Sequence, residues 1–239
     1  MITIESLGEL DSTPTPFYFY DTNLLDQTLQ RVKESSAKYG FDVHFAVKAN
    51  ANRKILTRIV SFGLGADCVS GNEIELAIKC GFNPNKIVFA GVGKTDPEIE
   101  YALDNKIFCF HSESVQELIV INHFASQRSI IAKVALRLNP DVKANTHHHI
   151  TTGMIENKFG LSIEEVIEAK EVLPSLKNIK LIGLHYHIGS QITDLEVFRN
   201  LSAKANQLKD ELFPESSFNY INMGGGLGID YSNPSSNPI

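Results

Sequence analysis

The alternation of short apolar runs with amphipathic helical stretches constrains this chain more than any other feature. The runs are "DVHFAV" (42–47), "GADCVS" (65–70), "KIVFAG" (86–91), "KIFCF" (106–110), "AKVALRLN" (132–139), "IKLIGLHYHIG" (179–189) and "FNYINMG" (218–224). Each is short, and most are rich in β-branched or aromatic residues, which suits a buried strand. Helical patterns lie between most of them. "TNLLDQTLQRVKESSAKYG" places Leu24, Leu25, Leu29 and Val32 on one helix face and ends at Gly40, a position that suits a left-handed cap. "SGNE" (70–73), "TDPE" (95–98) and "SIEE" (162–165) each have the spacing of a capping box. Repeated strand-then-helix order implies an α/β fold with a mainly parallel sheet.

Two architectures share that order. A doubly wound sheet carries its glycine-rich turn after the first strand. Here the first strand is followed by "KANANRK", and the glycines come late, in "MGGGLGIDY" (223–231). Residues suited to chemistry stand at or just beyond the strand ends: Lys48, Asp67, His187 and the late glycines. A (β/α)8 barrel of the TIM type gathers such residues at its C-terminal mouth. The pattern therefore favours a barrel with seven of its eight strands present. "FYFYD" (17–21) reads as an extra early strand inside an N-terminal extension, 1–21.

Composition narrows the function classes. The formal net charge is −6, which argues against a broad nucleic-acid surface. No apolar run approaches the ~18 residues of a membrane span. The start, "MITIESLGELDS", lacks the basic-then-apolar order of a secretory leader. Cys68, Cys80 and Cys109 have neither metal-type spacing nor an even count for a disulfide framework. The expectation is a soluble, cytoplasmic protein.

Several positions invite two readings. Lys48, in "FAVKAN", is either a strand-end lysine snorkelling to solvent or an amine in an apolar mouth, where desolvation would make it a Schiff-base nucleophile. Gly224, Gly225, Gly226 and Gly228 form either a flexible turn or a cradle of backbone N–H groups for a phosphate. His185 and His187, two apart on a strand, point to one face. They suit a metal pair, or a neutral imidazole stacked on a flat ligand; no companion ligand lies at recognisable spacing, and no metal is expected. The "HHH" at 147–149 reads as a solvated loop. "VGKTD" (92–96) resembles the end of a phosphate-binding P-loop, but the earlier glycine it needs is Val88. Gly91 and Gly93 then read as a tight strand-to-helix turn.

Taken in order, "FAVKAN", "GADCVSGNE", "GVGKTD", "LRLNPDV", "TTGMIENKFGL", "GLHYHIGSQITD" and "NMGGGLGIDY" resemble the alanine-racemase-like decarboxylases that depend on pyridoxal 5'-phosphate (PLP), and within them the diaminopimelate branch. The resemblance covers nearly the whole chain. It implies that Lys48 carries PLP, that His187 stacks on the pyridine ring, and that Ser190 with the amides of Gly224, Gly225 and Gly226 holds the phosphate. Asp67, Glu73 and Arg137 match polar positions lining the pocket of such enzymes. A cap partner for Glu73 and a solvated strand charge for Arg137 are the alternatives. The implied reaction is decarboxylation of meso-2,6-diaminopimelate to L-lysine, by a carboxy-lyase that is a homodimer at full length. Related ornithine, arginine or carboxynorspermidine decarboxylases, a PLP-binding protein without turnover, and a metal-dependent barrel hydrolase are the alternatives.

The family pattern continues past this sequence, with an eighth strand bearing a Glu-Pro-Gly-Arg segment and then a C-terminal β domain. Residues 1–239 are thus expected to form a PLP-binding barrel truncated after its seventh strand, with weak or no activity alone.

Overall fold

The structure, a computed structural model, describes residues 10, 13–139, 159–214, 218 and 220–233. Expectations for the N-terminal "MITIESLGELDS", for "HHH" at 147–149 and for most of "TTGMIENKFGL" lie largely or wholly outside those residues.

All seven expected strands form: β1 (His44–Ala46), β2 (Gly65–Cys68), β3 (Ile87–Phe89), β4 (Cys109–Ser112), β5 (Ala132–Arg137), β6 (Ile179–His185) and β7 (Tyr220–Asn222). They lie side by side in sequence order, and every neighbouring pair is parallel. Helices cross between them: α1 (Thr22–Tyr39) before β1, then α2 (Arg53–Ser61), α3 (Gly71–Lys79), α4 (Asp96–Asp104), α5 (Val115–Gln127), α6 (Ile163–Val172) and α7 (Leu195–Leu212). This is the strand order of a barrel wall, curled into a half-barrel whose edges are β1 and β7.

The helix ends follow local chemistry. Asp21 caps α1, accepting from the amides of Asn23 and Leu24, and Gly40 ends the helix at φ 70°. Leu29 is buried and Leu25 and Val32 pack against the core, but Leu24 is exposed, so the apolar face is narrower than expected. Capping boxes form at Thr95 and Ser162. The box expected at Ser70 forms only by half: Ser70 accepts from the Glu73 amide, while the Glu73 carboxylate turns to the Val69 amide at 2.7 Å. Residues 17–21, expected as an extra strand, are irregular. The sheet assigns them no neighbour, and Tyr18 stands 89% exposed.

The two sheet faces differ in chemistry. The outer face packs Ala66, Cys68, Phe89, Phe110, Val134, Leu136, Leu184 and Tyr186 against the helices in one continuous apolar core. The inner face has only a small apolar floor of Val88, Cys109 and Ala135. Above that floor it presents Asp67, His111, Arg137, His185, Tyr220 and Asn222. The parity of β6 comes from one extra residue. Val134 pairs with Leu181, but Ala135 pairs with Gly183, so Ile182 is a bulge. Beyond it the odd-numbered residues face inward.

Gly183 has a steric reason. A Cβ there would lie 1.8 Å from the carbonyl oxygen of Tyr220, inside the next strand. Gly183→Ala must therefore push β7 away from β6. It is expected to lower stability by about 3 kcal/mol, the upper end for overpacking a tight site, read as a fall in the urea midpoint. An unchanged midpoint would show that the close approach is not needed.

Candidate active site

The inner residues meet at a cavity of about 960 Å³ at the C-terminal ends of the strands, a size suited to a small ligand. Lys48, Asp67, Arg137, His185, His187, Gly224, Gly225 and Gly226 all line it. These segments are far apart in sequence, and the parallel sheet brings them together.

Lys48 does not lie inside the strand. It sits on a one-turn 3-10 helix, Val47–Ala49, directly after β1. Val47 points into the core with no exposure, and the lysine turns the other way. Lys48 is exposed, so of its two readings the amine stands at an open mouth and is not desolvated. Nearby, Asp67 is buried in β2, and its Oδ1 has no hydrogen-bonding partner. Burial raises its pKa from the ordinary 3.8 to about 6, although the Lys48 charge pulls the other way.

Arg137 is not a solvated strand charge. Its guanidinium meets the Glu113 carboxylate at 2.7 Å, and both side chains are more than nine-tenths buried. The same Glu113 oxygen accepts from the Gly91 amide at 3.0 Å. Phe159 covers the guanidinium, with its ring centroid 5.5 Å away. Lys94, from the P-loop-like "VGKTD", is a buried tie: its ammonium reaches Glu117 at 2.6 Å and the carbonyls of Gly91 and His111 at 2.8 Å each. Gly91, at φ 103°, makes the tight turn. Glu73 lies off the cavity lining and anchors the backbone just beyond β2.

The two histidines of "HYHIG" have separate fates. His185 is buried and stacks on His111 with ring centroids 4.1 Å apart. His111 Nε2 lies 2.9 Å from the Tyr220 hydroxyl. Burial pushes both imidazoles well below the usual pKa; Lys94, His44 and Arg137 add to the effect on His111, and His111 and Arg137 to that on His185. His187, half-buried at the mouth, is held near 4 by burial and by the charges of Arg137 and Lys48. Its ring is therefore neutral, and its Nδ1 accepts a long bond of 3.5 Å from the Gly225 amide. Among the described residues no group of three or more His, Cys, Asp or Glu side chains could hold a metal. No described helix is long and apolar enough to cross a membrane.

The late glycines are packed by a neighbouring loop. A Cβ at 224 would meet the Tyr186 carbonyl at 2.3 Å, and one at 226 the Gly189 carbonyl at 1.9 Å. A Cβ at 225 would meet nothing within 4 Å. The Gly224 amide is engaged by Asn222 Oδ1 at 2.7 Å. Ser190 is exposed and lies beside, not in, the cavity lining.

This donor set fits PLP. An amine, a flat neutral imidazole, a buried carboxyl group with one unpartnered oxygen and an open glycine turn surround one cavity. Glu113, Glu117, Lys94, His111 and Tyr220 went unrecognised in the sequence. Inward parity on β4 and β7 was the signal for His111 and Tyr220; Glu113 had none beyond its place one residue past a strand.

Residues 24–238 match the family described as pyridoxal-dependent decarboxylase, pyridoxal binding domain. The diaminopimelate decarboxylase of Bacteroides thetaiotaomicron is 54% identical over 222 residues, covering 92% of this chain and 58% of that protein. The Aquifex aeolicus diaminopimelate decarboxylase is 40% identical over 228 residues, 95% of this chain and 54% of its own length. The crystal structure of diaminopimelate decarboxylase from M. jannaschii in co-complex with L-lysine superposes with a TM-score of 0.87 at 35% identity, covering 95% of this chain and 54% of that one. The chain spans about half the length of the curated relatives it matches.

The titrations give opposed contributions to stability. As pH falls from about 6.5 to about 4, the unfolded chain protonates His187 before the folded one does, so stability falls. His111 and His185 act in the same direction. Over the window from about 6 to 3.8, the folded chain protonates Asp67 first, which offsets part of that loss. Asp67→Asn should therefore make the acid loss steeper, by at most about 3 kcal/mol, and His187→Asn should make it shallower. Urea midpoints measured from pH 4 to 7.5 check both; parallel curves for all three proteins would contradict the assignment.

Proposed function

The chain belongs to the pyridoxal-dependent decarboxylase family through its pyridoxal-binding domain, and on that premise we propose that it binds PLP through Lys48 and serves the decarboxylation of meso-2,6-diaminopimelate to L-lysine. The observation that carries the proposal is the convergence of Lys48, Asp67, Arg137, His187 and the glycine turn on one cavity. The names of the relatives and the L-lysine in the M. jannaschii complex support the substrate. The reading includes a cytoplasmic, biosynthetic enzyme that works as a homodimer at full length.

When bound, PLP supplies an electron sink for the pair left behind as the substrate carboxylate departs as carbon dioxide. The rest is the work of the chain. Lys48 presents a primary amine at the mouth, on a turn fixed by the buried Val47. The neutral His187 offers a flat face without adding a charge that would repel Arg137 or Lys48. Gly225 leaves its backbone open for close approach by a phosphate, and Ser190 stands on the adjoining loop. Asp67 holds a buried carboxyl group whose proton state changes near pH 6. The Arg137 guanidinium is paired with the Glu113 carboxylate, so a substrate carboxylate meets a paired guanidinium rather than a bare one.

The full-length protein loaded with PLP, reduced with borohydride and digested should carry the pyridoxyl mass on the peptide containing Lys48. Lys48→Ala should lose both that adduct and the Schiff-base absorbance, with at least about 10³-fold lower turnover. An adduct that persists on another lysine with its absorbance intact would refute the anchor. Carbon dioxide released as readily from ornithine or arginine as from diaminopimelate would refute the substrate.

A further inference from the structure

The loops after β6 and β7 are joined well past the ends of their strands. The ladder from Gly183–Tyr220 to His185–Asn222 extends through the Tyr186 amide to the Asn222 carbonyl at 2.8 Å. It resumes at Ile192, which forms a parallel bridge with Leu227. The Ile192 amide donates to the Gly226 carbonyl and its own carbonyl accepts from the Gly228 amide, each at 2.8 Å. Gly226 and Gly228 sit where the other loop leaves no room: a Cβ at 228 would lie 2.7 Å from the carbonyl carbon of Gln191.

Gln191 completes this seam. Its backbone is left-handed, with φ 58°. Its side-chain carboxamide takes the place of a backbone peptide: Oε1 accepts from the Ile229 amide at 3.2 Å, and Nε2 donates to the Ile229 carbonyl. Only a group with a donor and an acceptor at that length can satisfy both. Glutamate would set a carboxylate against a carbonyl; alanine would leave both groups without the side chain.

We propose that Gln191 is a positioning residue for the anion-binding turn: its carboxamide clamps Ile229 and so holds the backbone of Gly225 and Gly226 against the loop that carries Ser190. This rests on the reading of that turn as the phosphate site. The clamp acts at one end of the ligand only, on the phosphate and not on the ring.

The test compares PLP with pyridoxal, which lacks the phosphate, on the full-length protein. Dissociation constants are measured by absorbance titration for the parent, Gln191→Ala and Gln191→Glu, with amide hydrogen exchange of residues 222–229 in the absence of ligand. Loss of two hydrogen bonds should weaken PLP binding on the order of tenfold, leave pyridoxal binding unchanged, and speed exchange across the segment. Equal weakening of both ligands, unchanged PLP binding, or unchanged exchange would each overturn the clamp. A parent that binds the two ligands equally would overturn the phosphate reading itself, which separates the two failures.

Discussion

One extra residue in β6 decides which of its side chains enter the half-barrel. Because side chains alternate along a strand, a one-residue slip exchanges the two faces. The bulge at Ile182 sets Gly183 and His185 inward and Leu184 and Tyr186 outward. The same parity carries past the strand end to His187. Without it, Leu184 and Tyr186 would crowd the interior, and the outer core would receive two imidazoles. The site, the close approach of β7 and the apolar packing of the helices all follow from this register.

The inward face carries a cost that the structure offsets locally. Barrel interiors are filled with branched apolar side chains, and this one holds a carboxyl group, an arginine and two imidazoles. Unpaired charge there would be strongly unfavourable. Arg137 is matched by Glu113, and Lys94 by Glu117. The imidazoles stay neutral and stack on each other. Asp67 has no hydrogen-bonding partner for its Oδ1, and burial raises its pKa against the pull of the nearby Lys48, Arg137 and Lys94 charges. The charges of Arg137 and Lys94 are thus balanced in pairs, while Glu113 Oε2 and the Nδ1 atoms of His111 and His185, like Asp67 Oδ1, are buried without a hydrogen-bonding partner.

The fold was legible because it is written in periodicity. Seven apolar runs gave seven strands, and "TDPE" and "SIEE" gave two capping boxes. Lys48, Asp67, His187 and the glycines were legible because strand-end residues in a parallel barrel share one mouth, and Arg137 was legible only through the family resemblance. What was not legible depends on tertiary partners. Nothing in "SGNE" says that Glu73 will prefer the Val69 amide to its own cap. Nothing in "CFHSES" says that Glu113 will meet Arg137 from the next strand. "FYFYD" has strand composition, but a strand needs a neighbour, and none is assigned to it among the described residues.

The late glycines show how far a motif can be divided by structure. In sequence they form one phosphate-like turn. In space Gly224, Gly226 and Gly228 answer to the backbone of the loop after β6, at distances no Cβ could tolerate. Gly225 alone faces open space. Three glycines therefore serve the joint between two loops, and the fourth serves whatever occupies the cavity. Glycine at a joint costs conformational entropy and gives no side chain to hold it, so the joint needs hydrogen bonds from elsewhere. Ile192 supplies two through its backbone and Gln191 supplies two through its side chain. The order in the turn comes from its neighbour, and the glycine sequence provides only the room for that neighbour to approach.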